Sequence, residues 1–455
     1  MKSSGRVTVQ GLGHFGGGAG VARFFAREGW QVTVTDLQNE EELSDSISSL
    51  EGVDVRLVLG RHDEGDFTDT DLVVANPAVG PKNKYLAAAK AAGVRVVSEV
   101  GIFLDRVPGS VVCVTGTQGK SSTAHFLYQL LVDAKIPARL GGNIGGSLLD
   151  ELHDMTALET CVVELSSYQL DGLADEITKT PLDLGIITNL REDHLERHGT
   201  VEAYHTAKLG IARLLSERAP LLMGAGVIER ARDLAPDATE RVDLYETGAH
   251  LRIEGERFSL RSEALGDVAD AGHLPLFQRE NLLLALGAAR ILGAPASLLA
   301  TSIPDLNGLS HRLEDLGLLR GRRVYDNGVS TTPDSTLAAL EALPAGVTLL
   351  AGGEAKALPI DGLVRAAKQQ ARQVVLFGAC AVEWAQAFRQ ADSKCEVAET
   401  VADAVEIAWS LTERGDTILF SPAAASFDAY KNFRARAMDF RGCVTSQAEI
   451  SRSTS

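Results

Sequence analysis

Short runs rich in Val and Ile recur along almost the whole of this 455-residue sequence, separated by longer stretches with helical periodicity. Such alternation describes a parallel α/β chain and argues against α+β and all-β architectures, because parallel strands need helical crossovers to connect them. At roughly 150 residues per domain, the length predicts about three domains. A first series of expected strands covers Arg6–Gln10, Gln31–Thr35, Val55–Leu59, Leu72–Ala75 and Val94–Ser98, with a helix at Gly18–Glu28. It ends at the linker-like Arg106-Val-Pro-Gly-Ser110. A second series runs through Val111–Val114, Cys161–Leu165 and Gly185–Thr188 and a helix at Val201–Leu215, then meets a less regular stretch, Glu246–His273. Within it, LRIEGERFSL reads as an antiparallel insertion. A third series follows His311, with strands at Arg323–Tyr325, Val347–Leu350, Val374–Phe377 and Thr417–Phe420 and a helix at Ala402–Leu411.

Charge narrows the partners. With 61 acidic and 44 basic residues the net charge is −17, which excludes a broad surface for a nucleic acid polymer or an anionic membrane. Any polyanionic ligand has to sit in a local pocket. The five cysteines, Cys113, Cys161, Cys380, Cys395 and Cys443, show no CxxC spacing, so neither a disulfide framework nor a zinc site is expected, and a reducing compartment fits. The sequence has no run of about 18 apolar residues, and its start lacks the apolar core of a signal peptide. A soluble, cytoplasmic protein is expected.

The strongest motif is Gly116-Thr117-Gln118-Gly119-Lys120-Ser121-Ser122, directly after the strand Ser110–Thr115 and directly before a helical pattern. Backbone N–H groups in such a loop converge on phosphate oxygens, the helix start adds partial positive charge, and Lys120 adds a formal one. Ser121 or Ser122 can reach Mg²⁺. The general Walker pattern needs a glycine where Val114 stands, so the match is to a shortened phosphate loop. The bland alternative is a glycine-rich turn that only caps a helix.

A second motif, Gly11-Leu-Gly13-His14-Phe15-Gly16, follows a strand and precedes a helix, and Asp36 ends the next strand at the ribose-binding spacing. It resembles a dinucleotide-binding turn. NAD, FAD or another nucleotide fits the spacing equally, and close helix–strand packing alone also explains the glycines. Glu164 in Glu-Leu-Ser166-Ser-Tyr-Gln169, and His194 in Thr188-Asn-Leu-Arg-Glu-Asp-His194, close two further strands. At the carboxyl ends of a parallel sheet both project toward the phosphate loop. Glu164 suits Mg²⁺, whereas His194 is an unusual ligand for that ion and has a structural or substrate-binding alternative. Lys208 by itself reads as a solvated helix lysine.

Taken together with Gly142-Asn143-Ile-Gly145, Tyr204-His-Thr-Ala-Lys208, His311-Arg312-Leu-Glu314, Gly352-Gly-Glu-Ala-Lys356 and Ser421-Pro-Ala-Ala-Ala-Ser426-Phe, these elements resemble the Mur ligase family of ATP-dependent amide-bond-forming enzymes over essentially the whole chain. The resemblance implies three domains: 1–108, N-terminal, Rossmann-like, binding the UDP substrate; 109–310, a central P-loop ATPase α/β domain with a parallel sheet; and 311–455, C-terminal, Rossmann-like, binding glutamate. It also implies the activity, attachment of D-glutamate to UDP-N-acetylmuramoyl-L-alanine through an acyl phosphate in peptidoglycan synthesis, and a monomer.

By the same resemblance Gly13, His14, Phe15, Asp36, Asn143, Ser166 and Gln169 contact the UDP substrate. Gly116 to Ser122, Asn281, Arg312, Asp326 and Asn327 serve ATP, and Thr331, Lys356, Ser426 and Phe433 hold glutamate. Lys120, Glu164, His194 and Lys208 are the catalytic set. Two Mg²⁺ ions are implied, on Ser121, Glu164, His194 and a Lys208 carbamylated by CO₂. Departures cluster around ligands: Gln118 replaces the usual Asn, Ser122 a Thr, Arg279 and Leu284 flank Asn281 where the family has other residues, Asn327 stands at the usual Asp, and Asn76-Pro-Ala78 replaces Ser-Pro-Gly. Because the Asn327–Thr331 segment is altered, an L-glutamate-adding ligase on the same UDP substrate is the alternative within the family. From other classes, a nicotinamide-dependent oxidoreductase uses the glycine turn and Asp36 but leaves the phosphate loop idle, and a non-catalytic nucleotide-binding protein uses neither for chemistry.

Overall fold

The computed structural model describes residues 4–14, 16–80, 82–144, 147–178, 182–235, 251–272, 274, 278–356 and 358–450. The chain forms two compact units, one made of Met1–His273 with Gln278–Leu306 and the other of Leu274–Phe277 with Asn307–Ser455.

The first unit holds two five-stranded sheets, both parallel throughout. One combines β1 (Arg6–Gln10), β2 (Gln31–Asp36), β3 (Val55–Leu59), β4 (Leu72–Ala75) and β5 (Arg95–Val97) in the order β3-β2-β1-β4-β5. The other combines β6 (Ser110–Thr115), β7 (Ala138–Gly142), β8 (Thr160–Glu164), β9 (Leu182–Ile187) and β10 (Leu221–Met223) in the order β10-β9-β6-β8-β7. In each, the first strand in sequence has neighbours on both sides, so the chain reverses its direction of travel across the sheet there. That reversal opens a crevice at the carboxyl ends, where open α/β sheets bind ligands. Apolar side chains of both sheets and their helices, among them Val9, Phe25, Phe103, Cys113, Leu149 and Ile187, belong to one continuous core.

A small antiparallel sheet of β11 (Leu251–Glu254), β12 (Arg257–Leu260) and β13 (Glu263–Asp267) bears out the insertion expected from the sequence. The first residues of that expected stretch, 246–250, and its last, 273, lie outside the described residues. The expected helix Val201–Leu215 is corrected: it is α-helical over Val201–Leu209 and then tightens into a 3-10 turn, Gly210–Leu214. The tighter winding lets Ile211, Leu214 and Leu215 all bury beside β9.

The second unit has one six-stranded sheet of β14 (Glu314–Leu319), β15 (Arg322–Asp326), β16 (Val347–Gly352), β17 (Ala371–Phe377), β18 (Cys395–Val397) and β19 (Thr417–Ala423), ordered β14-β15-β19-β16-β17-β18. Only β14 runs antiparallel, as an edge strand the sequence reading did not include. Its segment EDLGLL carries a glycine, and its register to β15 breaks between Asp315 and Leu318, which hides the alternation a strand normally shows.

The loops leaving β16 and β19 are tied by one buried cation. Arg436, on the helix Phe433–Ile450, is 0% exposed and donates through Nη1 to the Ala425 carbonyl (2.8 Å) and through Nη2 to the Ala424 carbonyl (2.9 Å), with a longer bond to Gly352 (3.3 Å). Burial pushes the guanidinium down to about 10, so it stays charged at neutral pH. Its Nε has no hydrogen-bond partner among the described residues. Truncation takes the guanidinium from three carbonyls beside a cavity, of which Ala425 O keeps a second partner in Glu354 N (3.0 Å), and each unpaired buried group costs roughly 1–3 kcal/mol. Arg436→Ala is therefore expected to destabilise the protein by about 3 kcal/mol or more, read as a lowered urea midpoint.

Candidate active site

The buried strand β6 delivers the loop Gly116–Gly119 to the centre of its sheet, and the helix Lys120–Asp133 continues from it. Both end glycines are required by contact. A Cβ on Gly116 (φ +141) would stand 1.9 Å from Thr188 Oγ1, and one on Gly119 (φ +79) 2.1 Å from Asn281 Oδ1. The segment leaving β9 clamps the loop: Thr117 N donates to Asn189 O (3.0 Å), Gln118 N to Asn189 Oδ1 (3.0 Å), and Arg191 N to Thr117 Oγ1 (2.9 Å). Lys120 folds back so that Nζ donates to Thr117 O at 2.9 Å. No side chain caps the start of this helix, so its first N–H groups suit an anion.

From behind, the helix Gln278–Ile291 packs on the same turn. Asn281 donates to Gln278 Oε1 (2.8 Å), and Gln278 donates to Ser122 Oγ (3.2 Å). Ser121 and Ser122 are both buried. Asn281 is thus brought to the phosphate loop, while Gln278, a lone polar residue at a helix start, gave no signal in the sequence.

Glu164 closes β8 and is 1% exposed. Its Oε1 accepts from Asn143 Nδ2 (3.1 Å), and its Oε2 is buried with no hydrogen-bond partner among the described residues. Such an orphaned carboxylate oxygen fits a cation, and Mg²⁺ takes few protein oxygens while keeping waters and phosphate oxygens. Among the described residues no group of three or more His, Cys, Asp or Glu forms a self-sufficient metal cage.

Lys208, also 1% exposed, lies with Nζ 4.7 Å from the centre of the Tyr204 ring. Burial, reinforced by Lys120 and opposed by Asp193 and Glu164, brings its amine down to about 7. The structure thereby contradicts the solvated-lysine reading. The hydroxyl of Tyr204 donates to Thr117 Oγ1 (3.3 Å), and burial pushes it up to about 12. His194 takes a left-handed backbone (φ 52, ψ 37), with Nδ1 3.4 Å from the Tyr168 hydroxyl and its ring 5.9 Å from that of Tyr204. His198 stands between Tyr168 and Tyr204, 3.1 Å from Ser167 Oγ, and burial lowers its pKa. Tyr168, Tyr204 and His198 pack around His194; the two tyrosines stand in the sequence motifs of Glu164 and Lys208, whereas His198 gave no signal in the sequence.

At the glycine turn after β1, Asp36 is nearly fully engaged by backbone: Oδ2 accepts from Leu12 N (2.8 Å) and Gly13 N (3.2 Å), and Oδ1 from Gln38 N (3.0 Å). It shapes the turn, and it does so at the ribose-binding spacing. His14 is exposed at the tip, and Phe15 lies outside the described residues. Ser166 and Gln169 form a capping box, each satisfying the other at the start of the helix Ser167–Leu170.

In the second unit, Arg312 sits between two non-glycine residues in left-handed conformation, His311 (φ 64) and Leu313 (φ 48). Such residues cost about 1 kcal/mol or more each and persist where neighbours over-determine them. Asp326, fully buried, binds His311 Nδ1 (2.7 Å), Arg441 Nε (2.6 Å) and Gly328 N (2.9 Å). Asn327 binds Leu313 N (3.0 Å) and Ser421 Oγ (2.9 Å). Both side chains therefore support the Arg312 segment from inside the unit. Lys356 Nζ donates to Thr331 Oγ1 (3.3 Å). Glu354 pairs with Ala425 in an antiparallel bridge, which sets the segment bearing Lys356 beside the one bearing the buried Ser426. Phe433 opens the helix that carries Arg436.

Three family models match consecutive parts of the chain: a Mur ligase MurD-like N-terminal domain at residues 5–98, a Mur ligase middle domain at 114–269, and a Mur ligase glutamate ligase domain at 311–424. A UDP-N-acetylmuramoylalanine--D-glutamate ligase from Roseiflexus sp. (strain RS-1) is 35% identical, covering 97% of this chain and 98% of its own length. The protein of the same name from Geobacter metallireducens is 32% identical, covering 98% of each. Among solved structures, UDP-N-acetylmuramate-alanine ligase MurC from Thermotoga maritima superposes with a TM-score of 0.62 at 16% identity, over 97% of this chain and 100% of that one. The MurF ligase from Thermotoga maritima in complex with ADP gives 0.55 at 16% identity, over 92% and 96%. These two likenesses speak for the fold. The relatives above 30% identity span nearly all of both sequences, and the chain belongs to the Mur ligase family.

Proposed function

We propose that this protein joins D-glutamate to UDP-N-acetylmuramoyl-L-alanine, converting ATP to ADP and phosphate, as a cytoplasmic monomer in peptidoglycan synthesis. The observation that carries the reading is the buried Glu164 carboxylate, one oxygen without a hydrogen-bond partner among the described residues, in electrostatic contact with a low-pKa Lys208 that also senses Lys120 of the phosphate loop. The names of the full-length relatives supply the substrates. In this reading, residues 1–108 receive the UDP substrate, 109–310 ATP and 311–455 glutamate.

The chemistry joins anions, so it needs dense positive charge. The substrate carboxylate attacks the γ-phosphorus of ATP, ADP leaves, and an acyl phosphate forms. The glutamate amine then attacks the carbonyl carbon, loses a proton, and phosphate departs. Lys120 and the loop N–H groups hold the β- and γ-phosphates. Bound Mg²⁺ neutralises phosphate charge, and Ser121, Glu164, His194 and a modified Lys208 are the residues to hold two such ions, with Asn143 orienting Glu164. Because the Lys208 amine, brought down to about 7, is largely neutral above that pH, its nitrogen can bond to the carbon of CO₂ with loss of a proton, giving a carbamate ligand.

Gly13, His14, Phe15 and Asp36 form the uridine end of the substrate site, and Asn143, Ser166 and Gln169 the muramoyl end. Asn281, Arg312, Asp326 and Asn327 belong to the ATP site, the latter two through the Arg312 segment. Lys356, Thr331, Ser426 and Phe433 receive the two glutamate carboxylates and the carbon chain.

ADP release with each glutamate enantiomer tests the reading. Activity with D-glutamate and none with L-glutamate is expected, and activity with L-glutamate alone overturns it in favour of the L-specific ligase. Lys120→Ala should abolish ADP formation. A separate check concerns Lys208, whose folded pKa lies below its ordinary value, so the unfolded chain binds more protons between about pH 7 and that value. The corresponding stability is present above this window and lost as pH falls through about 7. In metal-free protein, urea unfolding should show stability rising from pH 7 to pH 9 in the parent, a rise that Lys208→Met removes.

A further inference from the structure

The glycine turn after β1 leads into the helix Gly17–Arg27, whose start no side chain caps. A nucleotide diphosphate is the group such a helix start accepts. Facing it is a carboxyl group that the ligase chemistry leaves unused. Glu99 is the first residue of the helix Glu99–Arg106. Its Oε1 accepts the Ser147 hydroxyl, and its Oε2 lies 2.8 Å from where a Cβ on Gly17 would stand. The corner is tightly packed, since a Cβ on Gly20 would fall 2.1 Å from that of Ser147.

Two charged groups face this carboxyl: Arg23 from the helix Gly17–Arg27 and Asp150 from the short helix Leu148–Glu151. They pair with each other, Arg23 Nε to Asp150 Oδ1 at 2.9 Å, so Arg23 is already engaged and Asp150 adds a like charge beside Glu99. A third carboxylate, Glu176, meets the start of the Glu99 helix through Ser98 N at 2.7 Å.

We propose that Glu99 shares the seat of the substrate diphosphate, so that the UDP substrate binds together with one proton, taken from solvent onto this carboxylate. The inference rests on the glycine turn being the uridine-nucleotide site. Two anions cannot occupy one partly dry corner without strong repulsion, whereas a protonated carboxyl can stand beside a diphosphate and donate a hydrogen bond to it. Burial already pushes Glu99 up to about 7, with Asp150 adding to the rise and Ser147 and Arg23 opposing it. Below about pH 7 the group is neutral before the substrate arrives, and above it each binding event takes up a proton. Affinity then falls with rising pH, approaching about tenfold per pH unit where the coupling is complete.

Calorimetric titration of the full-length protein with UDP-N-acetylmuramoyl-L-alanine at pH 8, in two buffers of different protonation enthalpy, reads the proton count directly. Parent protein should take up more protons than Glu99→Gln, by an amount approaching one, and only the parent should weaken between pH 7 and pH 8. Equal uptake and equal pH slopes overturn this inference alone. Failure of the parent to bind the UDP compound overturns the uridine-site reading and this inference with it. Asp150→Asn provides a second variant should Glu99→Gln not fold: it removes a like charge and releases Arg23 toward Glu99, so uptake should set in at lower pH. An unchanged onset counts against the proposal.

Discussion

The first unit depends on how closely the loop Gly116–Gly119 passes under the segment leaving β9. With Thr188 Oγ1 where a side chain on Gly116 would need to be, the two strand ends can approach only because that position is bare. The same proximity lets Asn189 fix the loop through its backbone and Arg191 through the Thr117 hydroxyl, while the uncapped helix start faces a ligand. Burial of Lys208 and the charge of Lys120 then bring an amine ordinarily charged near neutrality, against the opposing pull of Asp193 and Glu164.

The second unit solves a different problem. Arg312, Thr331 and Lys356, proposed to meet ligands, sit on loops, and loops hold position only when something buried fastens them. Arg436 fastens the ends of β16 and β19, and the Asp326–His311–Arg441 group fastens the strained turn that carries Arg312. Both fasteners are charged groups kept from water and matched to several partners, an arrangement that loses stability steeply when one member is removed.

Much of this was legible in the sequence, for reasons that can be stated residue by residue. Strands β1, β3 and β4 begin and end where their Val- and Leu-bearing runs do, β1 and β4 inside the sheet and β3 at its edge. The phosphate loop was legible because glycine, lysine and hydroxyl residues had to recur at fixed spacing. Strands β7, β10 and β18 were not, since ARLGG, LLM and CEV are too short or too mixed to stand out from loops. Asp36 shows the limit at the level of roles: its spacing predicted a ribose contact, while its oxygens bind the turn's own N–H groups, a detail only coordinates carry. Glu99 gave no signal either, because a carboxylate at a helix start is ordinarily a favourable cap and nothing more.

The helix Gln278–Ile291 lies far along the chain from the helix Lys120–Asp133, yet Gln278 and Asn281 back the first turn of that earlier helix. Chains emerge from the ribosome amino end first. The phosphate loop of a nascent molecule therefore waits through the synthesis of some 150 further residues, the antiparallel insertion among them, before its backing exists. A chain truncated by premature termination anywhere in that interval would display the complete loop sequence without the wall that shapes it.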